Sequence, residues 1–387
     1  MLFFQSAVTI LALGSATVLA APHGLRGRCP HRAAASAYSS SAAVAIASPV
    51  VSGTPSSVAT PTPSASASRS ASVKSGSSSS RSSSSTAKAP QPTGDEDDSN
   101  DDGDDTPTTK PASGLLAALF PVSQSHSWST SASAPNPLPL SDSTFRPTKL
   151  ISALSHDYVN SNGKKAMRAH FPAGSYTFGH DPQGGLSFYA AGPAAVDLST
   201  AKEATLGYSV FFPNGFAFNK GGKLPGLYGG NSASEAASCS GGRRDDGCFS
   251  ARMMWRTGGA GEMYTYLPPS FSANKAVCNV PPKSACNDAY GASVARGSFE
   301  WATGEWTTIS QRVRLNDAGK SNGELELFVG GKSVMSVDGL VLRNSDAGRL
   351  RGIQMQTFFG GSDSSWASPK DQDIFFSDFS VAITEKL

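Results

Sequence analysis

Apolar and polar side chains alternate in short runs over the C-terminal part of the chain. The runs are LGYSVFFP from Leu206, FSARMMWR from Phe249, MYTYL from Met263, WTTISQRVRL from Trp306, ELELFV from Glu324, GIQMQTFF from Gly352 and IFFSDFSVAI from Ile374. Several keep a period of two, and no long segment carries a helical stripe, so each run predicts a strand. Breaks at Gly258-Gly259, Asn322-Gly323 and Gly360-Gly361 suit hairpin and loop connections. The pattern predicts an all-β domain over residues 138–387, an antiparallel β-sandwich of jelly-roll type.

Ahead of this domain the pattern disappears. Residues 1–20, MLFFQSAVTILALGSATVLA, are uncharged and end in Val18-Leu19-Ala20, which reads as a secretory signal peptide without its usual basic start. A bilayer span needs ~20 apolar residues, and Gly14, Ser15 and Thr17 interrupt this run. Residues 21–137 form a linker rich in Ser, Thr, Pro and Ala, as in SGSSSSRSSSST from Ser75 to Thr86. Such a segment buries too little apolar surface to offset its chain entropy and is expected to be disordered, with a composition suited to O-glycosylation. With no Asn-x-Ser/Thr sequon in the chain, glycans are expected on this stalk alone. The acidic run 95–105 lacks calcium-loop spacing and reads as a solvated part of the linker. No second stretch is apolar enough to span a membrane, and the C-terminal SVAITEKL has no tail to exchange for a lipid anchor.

Charge changes the picture once it is divided by position. Eight acidic residues lie between Asp95 and Asp105, so a formal +2 becomes +10 without them, which favours an anionic partner. Cys239, Cys248, Cys278 and Cys286 lie in the domain, and their short separations favour Cys239–Cys248 and Cys278–Cys286 bridges in an oxidising compartment; Cys29 is left over. A zinc site has little support, since there is no CxxC pair and no histidine after His180. The same shortage argues against a Ser-His-Asp relay, which would need His156, His170 or His180 and a serine outside any nucleophile-elbow motif.

The densest chemistry lies in FSARMMWRTGGAGEMYTYL, Phe249 to Leu267. A hairpin centred on Gly259 would set Arg252 opposite Tyr266, Met254 opposite Tyr264 and Arg256 opposite Glu262. Ser250, Arg252, Met254, Arg256, Glu262, Tyr264 and Tyr266 would then share one face, with Trp255 pointing into the core. Two tyrosines and an arginine suit β-elimination on a uronic acid polymer: a cation neutralises the sugar carboxylate, the C5 hydrogen is acidified, and a base removes it. A free phenol, with pKa ~10, is a poor base at neutral pH, and neighbouring cations are expected to favour its phenolate. The same residues would also serve as ordinary cross-strand pairs on a solvated face.

The preceding stretch KGGKLPGLYGG, Lys220 to Gly230, reads as a loop with two exposed lysines and lacks the spacing of a phosphate loop. Taken in order with SARMMWR, GEMYTYLP and TFFGGSDSSWASPKDQDIFFSDF from Thr357, it resembles polysaccharide lyase family 14, over Leu206 to Ile383. The resemblance implies a β-jelly-roll lyase acting on alginate or glucuronan without a cofactor. It places the family's Ser-x-Arg pair on Ser250 and Arg252, its Tyr-x-Tyr pair on Tyr264 and Tyr266, and its essential lysine on Lys223, with Lys220 a second candidate. By that similarity Lys223 and Arg252 neutralise the carboxylate, Ser250 orients it, and the tyrosines serve as base and acid, Tyr266 being the expected base. Gln354 and Gln356 alternate on one strand face and are expected to line the sugar groove.

Three function classes follow. The first is a secreted, metal-independent lyase of β-1,4-linked uronates, acting as a monomer on an anionic polysaccharide rather than on nucleic acid. The second is a non-catalytic lectin binding acidic wall polysaccharide, held near the cell wall by the stalk. The third is a hydrolase using Glu324 and Glu326, which would give saturated products.

Overall fold

The computed structural model describes residues 114–387. The expected signal peptide, most of the linker including its acidic run, Cys29, His23 and His31 lie outside the described residues.

Each strand-like run of the sequence is a strand, and the strands form an antiparallel β-sandwich of jelly-roll type. One sheet runs β13 (Lys332–Leu340), β12 (Gly323–Val329), β11 (Trp306–Arg314), β6 (Ala201–Phe211), β15 (Gln372–Lys386), β4 (Lys164–Phe171) and β3 (Asp157–Ser161). The other runs β10 (Ala292–Val294), β9 (Gly261–Tyr266), β8 (Cys248–Arg256), β7 (Gly221–Gly230), β14 (Arg349–Phe359), β5 (Leu186–Ala190) and β2 (Pro147–Thr148). The fold takes in residues ahead of Leu138, where the domain was expected to begin. A strand β1 (His126–Ser129) pairs with β15, and Leu119 at the end of helix α1 (Leu115–Leu119) is fully buried.

Alternation decides which side chains enter the sandwich. Phe249, Ala251, Met253 and Trp255 of β8 and Met263 of β9 join Ile309, Leu325, Leu327 and Phe376 of the opposite sheet in one core. Trp255 is fully buried, stacks edge-on against Phe359 at 5.2 Å and donates its Nε1–H to Phe218 O at 3.0 Å. Removing a side chain of this size from water contributes roughly 1.5–3 kcal/mol or more, so this periodicity fixes which face β8 leaves for the solvent side.

KGGKLPGLYGG is not a loop. Residues 221–230 form β7, a central strand buried along its whole length. Glycine makes this possible, because a Cβ on Gly222 would lie 2.0 Å from the Trp255 ring and one on Gly226 would lie 2.0 Å from Ala251 O. Pro225 has no N–H to donate, and it sits where the pairing with β8 breaks between Lys223 and Gly226. The opposite sheet satisfies the groups freed there: Tyr208 Oη donates to Pro225 O at 2.8 Å, Gln311 Nε2 donates to Ala251 O at 3.0 Å, and Gln311 Oε1 accepts from Leu227 N at 2.9 Å. This bulge presents Lys223 on the outer face beside β8.

Candidate active site

The β8–β9 hairpin turns through Thr257–Gly259, with Gly258 and Gly259 at φ 72° and 88° and Arg256 N–H donating to Ala260 O at 2.8 Å. The turn is therefore centred one residue earlier than expected. Ser250 faces Tyr266, Arg252 faces Tyr264 and Met254 faces Glu262, in place of the pairs Arg252–Tyr266, Met254–Tyr264 and Arg256–Glu262. Partners move by two residues, an even number, so the predicted grouping on one face survives.

On that face Lys223, Arg252, Met254, Tyr264 and Tyr266 line a cleft of about 380 Å3. Lys223 is 8% exposed; its Nζ lies 4.0 Å from the Tyr264 ring centre and donates to Met254 Sδ at 3.1 Å. Arg252 is 1% exposed; Nη1 donates to Gln356 Oε1 at 3.1 Å, and Nε has no partner. Among the described residues neither cation is paired with a carboxylate. Glu262, fully buried on the same face, is held by Arg256 at 2.7 Å and Arg296 at 2.8 Å. The cleft floor thus carries desolvated positive charge without its counter-charge, an arrangement that costs several kcal/mol until an anion arrives.

Burial pulls the Lys223 ammonium well below its ordinary 10.5, and Arg252 and Arg256 push it further. Burial lowers Arg252 as well. The lysine effect has a definite sign. In the interval between the lowered folded value and 10.5 the unfolded chain holds the extra proton, so stability rises with pH across that interval. Lys223→Met is therefore expected to raise the unfolding midpoint, most strongly below the folded value and by a vanishing amount as pH approaches 10.5. Thermal melts at graded pH check this, and a gain that does not change with pH would refute it.

Tyr264 and Tyr266 stand with ring centres 5.8 Å apart at 70°. The expectation that cations favour the phenolate does not hold for Tyr264: burial raises its hydroxyl and Tyr266 adds to the rise, outweighing Arg256 and Arg252. Tyr266 Oη accepts from Gly242 N–H at 3.0 Å, which leaves its own proton free to be moved. Gly242 belongs to the loop closed by the Cys239–Cys248 disulfide, and a second disulfide joins Cys278 to Cys286, whose Cys286 lines the cleft.

Other expected site residues stand behind this first set. Ser250 is fully buried and donates to Cys239 O at 2.7 Å, so it anchors the disulfide loop and does not line the cleft. Gln354 and Gln356 also lie off the cleft lining. Gln354 Nε2 donates to Gln356 Oε1 at 2.7 Å, and Gln356 Nε2 donates to Ser187 Oγ at 3.0 Å, which fixes the acceptor that holds Arg252. Lys220 sits outside, donating to Ser365 Oγ, with Nζ 6.0 Å from the Trp366 ring.

Arg296, Tyr290 and Trp366 line the cleft without having been read as site residues. Arg296 and Tyr290 lie in irregular segments and Trp366 ends a single 3-10 turn, Ser364–Trp366, so no periodicity aims these side chains. Trp366 falls inside the Thr357 motif, whereas nothing around Arg296 in the sequence marks it. Glu324 and Glu326 belong to the opposite sheet, where Arg312 binds them at 2.7 and 3.0 Å and also binds Glu203 at 2.6 Å. A carboxylate pair tied to one arginine on the far sheet cannot flank a sugar in this cleft. No group of three or more His, Cys, Asp or Glu placed to hold a metal occurs among the described residues.

The family model for polysaccharide lyase 14 matches residues 159–379. A solved alginate lyase of that family from Aplysia kurodai is 32% identical, over 68% of this chain and 100% of its own, with a TM-score of 0.56. An alginate lyase from Chlorella virus is 23% identical, over 62% of this chain and 93% of its own, with a TM-score of 0.52, and shares the fold. Among curated proteins nothing matches.

Proposed function

The chain belongs to polysaccharide lyase family 14, and on that premise we propose that it is secreted and cleaves β-1,4-linked uronic acid polymers, glucuronan or mannuronate-rich alginate, by metal-independent β-elimination. One observation carries this reading: two buried cations without a carboxylate partner lie beside two tyrosines on the floor of one cleft. A uronate carboxylate fits the missing charge, and Arg252 has donors left to hold it.

In the reaction, Lys223 and Arg252 withdraw charge from the sugar carboxylate as the C5–H bond weakens. Tyr266 Oη, having passed its own proton to solvent, takes the C5 proton, and the electron pair of that bond forms the C4–C5 double bond. The C4–O4 bond breaks, and the leaving oxygen takes a proton from a tyrosine. Tyr264, which burial keeps protonated, suits that donation. Ser250 holds the disulfide loop whose Gly242 N–H meets Tyr266 Oη, so its part is to place the base. Two disulfides among the described residues accord with an oxidising compartment.

The test is ultraviolet absorbance of unsaturated uronate ends during incubation with glucuronan, polymannuronate and polyguluronate, chelator present. A rise with one of the first two is expected. Saturable binding with no rise on any polymer would make the cleft a lectin groove and overturn the reading.

A further inference from the structure

Glu262 presents an imbalance that the reaction does not use. One fully buried carboxylate is bound by two arginines, Arg256 through Nε and Nη2 on Oε1 and Arg296 through Nε on Oε2, and Ser293 Oγ donates to Oε2 as well. Neutralising one carboxylate needs one cation, so a unit of positive charge is left over. Arg256 and Arg296 are 13% and 28% exposed and both line the cleft. The Nη1 of each makes no hydrogen bond among the described residues. Each guanidinium is thereby clamped on one edge and open on another.

Their position matters as much as their charge. The Met254–Glu262 pair follows the Arg252–Tyr264 pair by two residues along both strands, roughly 7 Å at the ordinary rise of an antiparallel strand, and Lys223, paired with Met254, reaches back from that row to the Tyr264 ring, its Nζ 4.0 Å from the ring centre. That step is on the order of one ring in a β-1,4-linked chain. At the same end Trp366 lines the cleft, its ring 5.9 Å from Arg256 Cζ, an apolar surface for a sugar face.

We propose that Arg296, with Arg256, binds the carboxylate of the uronate adjacent to the one held by Lys223 and Arg252, on the side away from the C4–O4 bond that breaks. This second subsite would read a charge on each of two successive rings, and so would favour continuous uronate polymers over chains in which acidic and neutral sugars alternate. The proposal rests on the lyase reading for its substrate class, while its geometry rests on Glu262 and the two arginines alone.

The experiment compares the wild type with Arg296→Gln and Arg296→Lys on uronate oligosaccharides of graded length, following unsaturated ends and, in parallel, calorimetric affinity. On lengths that reach the subsite, Arg296→Gln should raise KM about tenfold, the size of one charge-assisted hydrogen bond, with kcat within about twofold. The shortest oligosaccharide cleaved should keep its kcat/KM within about twofold, and Arg296→Lys should recover part of the loss on long ones. An equal loss at every length, or none at any length, would overturn the subsite. A wild type that cleaves nothing would overturn the lyase reading instead, and a length-dependent loss of affinity in Arg296→Gln would still support the subsite.

Discussion

Tyr266→Phe is expected to lower kcat by about 10²- to 10⁴-fold, the range of a lost general base, while polymer affinity stays within about twofold. The substitution removes one oxygen, and the ring stays packed against Tyr264 and the disulfide loop. Its structural cost is the hydrogen bond accepted from Gly242 N–H, about 0.5–1.5 kcal/mol, too little to unfold a domain of this size. The carboxylate clamp of Lys223 and Arg252 is untouched, so binding survives when proton removal does not. Initial rates of unsaturated-end formation and calorimetric binding, on the same preparation, separate the two quantities. Activity within tenfold of the wild type would exclude Tyr266 as the base.

Much of this site was legible because a strand writes its faces into the sequence at every second residue. Arg252, Tyr264 and Tyr266 are even-numbered neighbours of the core residues Ala251, Met253 and Met263, and the hydrophobic side identifies the polar one. The grouping survived a register error because the error was even. What the pattern could not give was depth. Ser250 and Arg252 are indistinguishable by parity, yet Ser250 turns to a backbone carbonyl while Arg252 meets the cleft. Residues 221–230 were hidden for a different reason: a strand built on glycines, with a proline at its bulge, has the composition of a turn. Its strand character comes from Trp255, Tyr208 and Gln311, which lie far away in sequence. Arg296 sits in a segment with no period at all, and only the fold brings it to Glu262.

Arg252→Met is expected to separate stability from activity in opposite directions. A guanidinium 1% exposed, with an unpartnered Nε and no carboxylate beside it, is held at a net cost in the unliganded protein. Even paired buried ions, replaced by apolar side chains of similar volume, typically leave stability unchanged or raise it by about 1–4 kcal/mol, and an unpaired one starts from a higher cost. For a domain of this size each kcal/mol moves the midpoint by about 2–4 °C, so a rise of several degrees is expected. The exchange leaves no new orphan, because Gln356 Oε1 still accepts from Gln354 Nε2 at 2.7 Å. Met254 on the same strand shows that an unbranched thioether packs on this face. Turnover should move the other way. Losing a preorganised cation at the developing carboxylate charge costs about 10²- to 10³-fold in kcat/KM, the scale of one lost oxyanion donor. Thermal melts and initial rates on the same variant give both numbers. A lower midpoint with unchanged turnover would make Arg252 a structural cation, and the unpaired charge in the cleft would then need another explanation. A higher midpoint with lost turnover would mean that the fold carries Arg252 at a stability cost for the sake of the anion it binds.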